Sequence, residues 1–304
     1  MSVSPVAPSL RALRHGFDRR AADLAEVDYL LREIGQRMQE RMRYIRLSPA
    51  RALDLGCGRG HGLAALRAQY PDAQIAGLDL SARMLREAAR LDPQRGGGWV
   101  ARLLGRRPVF DLLQADYERL PFAAGTFDML WSNLALHWHA EPHRIFPEWH
   151  RVTADGGLLM FSLFGPDTLR ELRQALAGVD GRTHTLRFVD MHDIGDMLVH
   201  GGWSTPVMDM ETLTVTYERP DTLLRDVHLM GGFAAGHGAL HGRQWLGQVH
   251  AALEAQRNQD GVIPLTFEIV YGHAWKLAPA ARQVADADGR VSIPIHSIRR
   301  AGPR

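Results

Sequence analysis

The sequence predicts an α/β protein: a doubly wound, mainly parallel sheet with helices on both faces. Three observations predict it. From residue 51 onward, short apolar runs alternate with segments of helical spacing. The first run ends in the glycine-rich turn LDLGCGRG (residues 53–60), which opens a helix. The 304 residues are 45% hydrophobic, enough for a large core. Strands alternating with helices close as a parallel sheet because each crossover helix must cover a face.

In chain order, residues 1–12 read as a loose arm. Residues 20–46 carry helical spacing through Leu24, Val27, Leu30, Leu31, Ile34, Met38, Met42 and Ile45, and Pro49 ends that region. RALDLG is a strand, HGLAALRAQY a helix, AQIAGLDL a strand and ARMLREAARL a helix. GGGWVARLLGRRP (96–108) interrupts the rhythm as a surface insertion. VFDLLQAD is the third strand and FDMLWSN the fourth, with EPHRIFPEWHRV a helix after it; GGLLMFSLF is the fifth strand. DTLRELRQAL and VDMHDIGDMLVHGGW read as helices, the second stopped by Gly201 and Gly202. METLTVTYE alternates like a half-buried strand, residues 221–256 read as two helices, and LTFEIVYGHAW is a final strand. The expected divisions are an N-terminal helical cap (1–47), a ligand-binding core (48–165), helical lid segments with the last two strands (166–277) and a poorly ordered tail (278–304).

Composition excludes several classes. The lone cysteine, Cys57, rules out an intrachain disulfide and a multi-cysteine metal cluster. No apolar run is long enough for a membrane helix, and MSVSPVAPSLRALRHGF has no secretory pattern. A cytoplasmic protein is expected, with neither membrane nor nucleic acid as partner. Lys276 is the only lysine among 36 basic residues. The surface charge is therefore planar guanidinium, suited to carboxylates and phosphates.

The turn after the first strand carries the first chemistry. Gly56, Gly58 and Gly60 let the backbone turn tightly and come close to a ligand, and the next helix aims its N–H groups there. A dinucleotide site needs G-x-G-x-x-G, but its third glycine would fall on His61. Asp54, inside the strand end, would repel a pyrophosphate and welcome a cationic amino acid, as in an S-adenosylmethionine site. Asp79 ends the second strand, where a carboxylate can take both ribose hydroxyls; it also reads as a helix cap beside Ser81. Asp116 ends the third strand and could accept from an adenine amino group, or from nearby backbone.

WSNLALHWHAEPHR (131–144) begins at a strand's carboxyl end, where open α/β sheets bind ligands. His137, His139 and His143 lack a clear fourth ligand, so no metal is expected. The bland reading packs Trp138 and leaves His139 and His143 in solvent. Leu134-Ala135-Leu136 replaces the D/N-P-P-Y/F motif of amide and base N-methylation. His137 could serve as base for a hydroxyl acceptor. A carboxylate acceptor, ionised at pH 7 with a pKa of ~4, needs no base but wants a cation. Arg187 and Arg225 are candidates, each equally readable as a surface ion pair.

Residues 48–165, through LDLGCGRG, GLDLS, ADYERLPF and FDMLWSNLALHW, resemble the class I S-adenosylmethionine-dependent methyltransferases. The resemblance implies a seven-stranded Rossmann-like sheet with its last strand antiparallel. It also implies cofactor contacts at Gly56, Gly58, Asp79, Leu80, Met84, Asp116, Tyr117 and Asn133. Outside the core, FDRRAADL, SNLALHW, RFVDMHDIGDML, RDVHLMGG and IPLTFEIVYGHA resemble the biotin-pathway malonyl-acyl-carrier-protein O-methyltransferases, from about Phe17 to Trp275. That implies methylation of the free carboxyl of a malonyl thioester on acyl carrier protein, with His137 and Trp138 lining the transfer pocket. The family's tyrosine after F-x-x-A-A is missing, Tyr29 being the nearest, so the cap is expected to be built differently. DYLLREIGQRM, ALDLGCGRG and FGPDTLRELR also resemble the mitochondrial complex I assembly factors, which would imply arginine hydroxylation of a protein subunit.

Overall fold

A computed structural model describes residues 9–92, 109–139, 141–180, 184–232 and 242–278. The 96–108 insertion and nearly all of the expected tail lie outside the described residues.

Seven strands form one sheet: β1 (Arg51–Leu55), β2 (Gln74–Asp79), β3 (Phe110–Gln114), β4 (Phe127–Asn133), β5 (Thr153–Phe164), β6 (Ser204–Tyr217) and β7 (Ile263–Trp275). The order is β3-β2-β1-β4-β5-β7-β6, with β7 antiparallel to both its neighbours. The order reverses between β1 and β4, so the carboxyl ends of β1, β2 and β4 frame a crevice. β1 and β4 sit mid-sheet and are almost wholly buried, as their unbroken apolar runs require.

Among the described residues there are nine helices: α1 (Leu10–Arg20), α2 (Tyr29–Met42), α3 (His61–Gln69), α4 (Ala82–Arg90), α5 (Phe146–Val152), α6 (Arg170–Asp180), α7 (Met191–His200), α8 (Pro220–Met230) and α9 (Arg243–Glu254). Ile34 and Met38 of α2, Leu63 and Leu66 of α3, and Leu172 and Leu176 of α6 share one core. Phe146 and Trp149 of α5 and Ile194 and Leu198 of α7 build the other. Both faces of the sheet are thus covered, as a parallel sheet demands.

The N-terminal arm is shorter than expected, because α1 begins at Leu10. Ser9 caps it, its Oγ accepting from the Ala12 amide at 3.3 Å. Likewise, EPHRIFPEWHRV is not one helix: a 3₁₀ turn at Pro142–Arg144 precedes α5. Among the described residues no helix is long and apolar enough to cross a membrane.

Candidate active site

The glycine turn is built by β1 and held by β2. The amides of Gly56 and Cys57 both donate to the Leu78 carbonyl, at 2.8 and 3.0 Å. Gly58 N–H donates to Asp79 Oδ2 at 2.9 Å, and Ser81 N–H to Asp79 Oδ1 at 2.8 Å. Ser81 itself caps α4, its Oγ accepting from the Met84 amide. Asp79 is therefore a strut of the turn as well as a candidate ribose ligand.

The three glycines differ. Gly56 has φ +76°, and a Cβ there would lie 2.4 Å from the Ala135 Cβ. Gly58 has φ +51°, and a Cβ there would meet nothing within 4 Å, so it faces open space. Gly60, at φ +89°, would meet the Ala88 Cα at 3.0 Å and does not line the cleft. Its backbone packs the turn closely against α4.

A cleft opens from this turn across the carboxyl ends of the strands. Gly56, Gly58, Asp79, Leu80, Met84, Asp116, Tyr117, Asn133, His137 and Trp138 all lie on it. Asp54 lies on an adjoining hollow with Asp28, Arg59 and His61. Burial, and then Asp79, push the Asp54 carboxyl up to about 8. Burial also raises Asp79, to about 6, against the hydrogen bonds that oppose it. Two protonatable carboxyls flanking a glycine turn suit a ligand that brings positive charge to one and hydroxyls to the other.

Asp116 Oδ1 accepts from the Glu118 amide at 3.0 Å, an Asx turn that fixes the carboxylate at the rim. Tyr117 donates to the Ala135 carbonyl at 3.2 Å, and burial raises its phenol. Asn133 donates from Nδ2 to the Leu31 carbonyl at 2.8 Å and accepts from Ser162 Oγ at 2.8 Å. It joins β4 to α2 and β5. Next, Leu134 adopts φ +50°, unusual for a branched residue. That turn sends the 3₁₀ turn Leu136–Trp138 across the cleft.

His137 lies among Trp138, Phe164 and Phe188, with ring centroids 5.1, 4.7 and 5.7 Å away. Its Nδ1 is buried without a hydrogen-bond partner among the described residues, and burial pulls the imidazole down to about 3. It is a neutral wall at physiological pH. His139 is not solvent-facing: its Nε2 meets Glu118 Oε2 at 3.3 Å, and it lines the cleft. Among the described residues no group of three or more potential metal ligands converges.

The structure does not bring Arg187 or Arg225 to the cleft. Arg187 is exposed, though its neighbours Leu186 and Phe188 turn inward. Arg225 points off α8 and pairs with Glu26.

The sequence predicts an N-terminal helical cap but not the residues that cover the cleft. Leu10, Leu13 and Phe17 of α1, with Leu24, roof the cleft, and Leu229 and Met230 of α8 close its side. The roof is pinned to the core. Asp18 Oδ1 accepts from Ser81 Oγ at 2.6 Å, Arg59 donates to the Ala21 carbonyl at 2.7 Å, and His61 bonds Asp28 at 2.9 Å. The signal was present in the turn, where GRGH places Arg59 and His61 beside the glycines. Tyr29 is not part of this roof; its hydroxyl meets that of Tyr217 at 3.3 Å.

This sheet order, glycine turn and pair of strand-end carboxyls define a class I methyltransferase. Residues 53–161 match the family described as "Methyltransferase domain". The YcgJ protein of Bacillus subtilis superposes with a TM-score of 0.55 at 17% identity, over 80% of this chain and 98% of that one. Phosphoethanolamine N-methyltransferase 2 of Haemonchus contortus, in complex with S-adenosyl-L-methionine, gives 0.53 at 16% identity, over 90% and 61%. These share the fold. Full-length relatives narrow the class. The malonyl-[acyl-carrier protein] O-methyltransferase of Laribacter hongkongensis is 48% identical over 93% of this chain and 95% of its own. That of Gallionella capsiferriformans is 45% identical over 94% and 97%, and that of Legionella pneumophila 39% over 86% and 88%. The chain belongs to the malonyl-[acyl-carrier protein] O-methyltransferase family.

Proposed function

We infer that the protein moves a methyl group from S-adenosyl-L-methionine to the free carboxylate of a malonyl thioester on acyl carrier protein, in the cytoplasm. The observation that carries this reading is a neutral, apolar transfer wall next to a cofactor cradle. His137 at about 3 is too weak a base to activate a hydroxyl near pH 7. A carboxylate arrives already ionised and asks only for alignment and desolvation.

The residues present suit the cofactor. Gly58 leaves open space where a side chain would intrude, Asp79 offers two carboxylate oxygens, and Leu80, Met84 and Ala115 supply an apolar floor beside Asp116. In this reading Asp54 takes the amino group of the methionine end, Asp79 the ribose and Asp116 the adenine. When bound, S-adenosyl-L-methionine supplies an electrophilic methyl: the carboxylate oxygen forms O–CH₃ as S–CH₃ breaks, the electron pair staying on sulfur. No proton is transferred, so the chain needs no acid or base at the reacting atoms. Phe17, Trp138 and Phe164 exclude water from the approach. The ester product carries no charge, so the acyl chain ends like an ordinary apolar one.

The relatives carry the methyltransferase name, and the arginine-hydroxylation reading draws no support from them. The test is methyl transfer from labelled S-adenosyl-L-methionine to malonyl-acyl carrier protein beside acetyl-acyl carrier protein, which lacks the carboxylate. Label is expected on the first alone. Equal labelling of both, or of neither, contradicts the reading.

A further inference from the structure

A malonyl acceptor brings a negative charge into a cleft whose lining, among the described residues, contains no arginine or lysine. An unpaired carboxylate entering an apolar site is unfavourable. The cation must therefore stand at the rim, close to the transfer wall and not already neutralised. Arg225 is paired with Glu26, Arg59 with Asp28 and Glu87, and Arg187 points to solvent.

Arg20 differs from all of these. Leu10, Leu13 and Phe17 face the cleft, and steps of three, four and three residues put Arg20 on the same stripe of α1. It is the last residue of that helix, where the stripe reaches the rim. Its guanidinium carbon lies 5.2 Å from the Phe17 ring centroid. Phe17 meets Trp138 edge to face at 5.0 Å. A Cβ placed on Gly231 would lie 2.5 Å from Trp138 Cη2 and 2.8 Å from Arg20 Nη2. The guanidinium and the outer edge of Trp138 thus crowd the same backbone point, which only glycine, at φ +83°, leaves free. Arg20 is partly buried, and burial first, then Arg19, pulls its guanidinium below the usual arginine range, with no carboxylate opposing. A partly desolvated cation beside the transfer wall, with no counter-ion among the described residues, suits an incoming anion.

We propose that Arg20 is the residue that holds the acceptor carboxylate, and so makes the enzyme specific for a malonyl over an uncharged acyl group. The proposal rests on the methyl-transfer reading above. Contact through one Nη group leaves the second carboxylate oxygen free to attack. Once esterified, the acceptor has no charge for Arg20, so the same residue favours substrate over product.

The test compares binding of malonyl-acyl carrier protein with that of its monomethyl ester, in the presence of S-adenosyl-L-homocysteine so that nothing turns over. The wild type is expected to prefer the free acid by about 10-fold or more, the usual worth of a charged hydrogen bond. Arg20→Met keeps the apolar stem against Phe17 and is expected to bring that preference close to one. Arg20→Lys is expected to retain part of it. Affinity for S-adenosyl-L-homocysteine, which also reports folding, should stay within about twofold in both variants; should Arg20→Met lose it, Arg20→Gln gives the same comparison. A variant that binds S-adenosyl-L-homocysteine and keeps the full preference for the free acid overturns the assignment. If the wild type itself methylates no malonyl-acyl carrier protein, the methyl-transfer reading fails instead.

Discussion

Asp79 Oδ2 accepts a hydrogen bond from the Gly58 amide at 2.9 Å, so the carboxylate that ends β2 holds the turn that ends β1. One side chain thereby couples the shape of the cradle to its chemistry. Asp79→Ala is expected to weaken S-adenosyl-L-methionine binding by about 100-fold, since charged hydrogen bonds and turn support vanish together. Asp79→Asn keeps an acceptor for Gly58 and should lose less, about 10-fold. Titration calorimetry separates the two; equal affinities in wild type and Asp79→Ala would refute the assignment.

Proton linkage follows from the same pair. The Asp54 carboxyl sits at about 8 and Asp79 at about 6, both above their unfolded value of ~3.9. Between those values the folded chain binds more protons than the unfolded one. Raising the pH from ~4 toward 8 therefore weakens the ligand-free protein. A cationic amino group at Asp54 reverses the preference there and expels its proton. At pH 7, calorimetry in buffers of different ionisation enthalpy should report release of up to about one proton on cofactor binding. Asp54→Asn should abolish that release, weaken binding and stabilise the ligand-free protein. Binding enthalpies independent of buffer would contradict the role given to Asp54.

The glycines should separate by phenotype. Gly58→Ala adds a methyl in open space and carries only the strain of a positive φ, about 1 kcal/mol. It should fold with Tm a few degrees lower yet lose cofactor affinity. Gly56→Ala drives a methyl into Ala135 and Gly60→Ala into the Ala88 backbone, which should cost about 2–3 kcal/mol or more beyond the strain. Thermal unfolding alongside cofactor titration tests this; a Gly58→Ala protein that binds normally would show that the cradle lies elsewhere.

At saturating substrates, kcat should be flat from about pH 6 to 9, because the acceptor is ionised and His137 is neutral throughout. His137→Asn should lower kcat by less than about 10-fold, through packing. A kcat that climbs with an apparent pKa near 6.5 would instead make His137 a base.

The sheet was largely legible in the sequence because β1, β2, β4 and β5 are continuous apolar runs bounded by turns, which local pattern resolves. The strand-end positions Asp79, Asp116 and Asn133 could be read for the same reason: where a strand stops is a local property. Helix direction is not. Leu223, Val227 and Leu229 are the buried side of α8, and Arg225, one turn before Leu229, is exposed and paired with Glu26, a fact that emerges only on packing. Which residues form the roof was obscured by charge: Arg11, Arg14 and Arg19 break up the stripe Leu10, Leu13 and Phe17, and residues 1–12 read as a loose arm. Gly60 shows the opposite limit, since a glycine needed for close packing against Ala88 looks in sequence like one needed for a ligand.

The exposed arginines of α1, Arg11, Arg14 and Arg19, surround the roof of the cleft and suit an acidic carrier. The KM for carrier-bound substrate should rise steeply between low and near-molar salt while kcat changes little. Arg11→Glu with Arg14→Glu should raise it further at low salt. A salt-independent KM would place carrier docking on another surface.

The central claim is carboxyl methylation on this cradle, and intact-mass spectrometry of malonyl-acyl carrier protein incubated with the enzyme and S-adenosyl-L-methionine tests it most directly. A mass gain of one CH₂ unit is expected, absent with Asp79→Ala. An unmodified carrier, from enzyme that still binds S-adenosyl-L-methionine tightly, would contradict it.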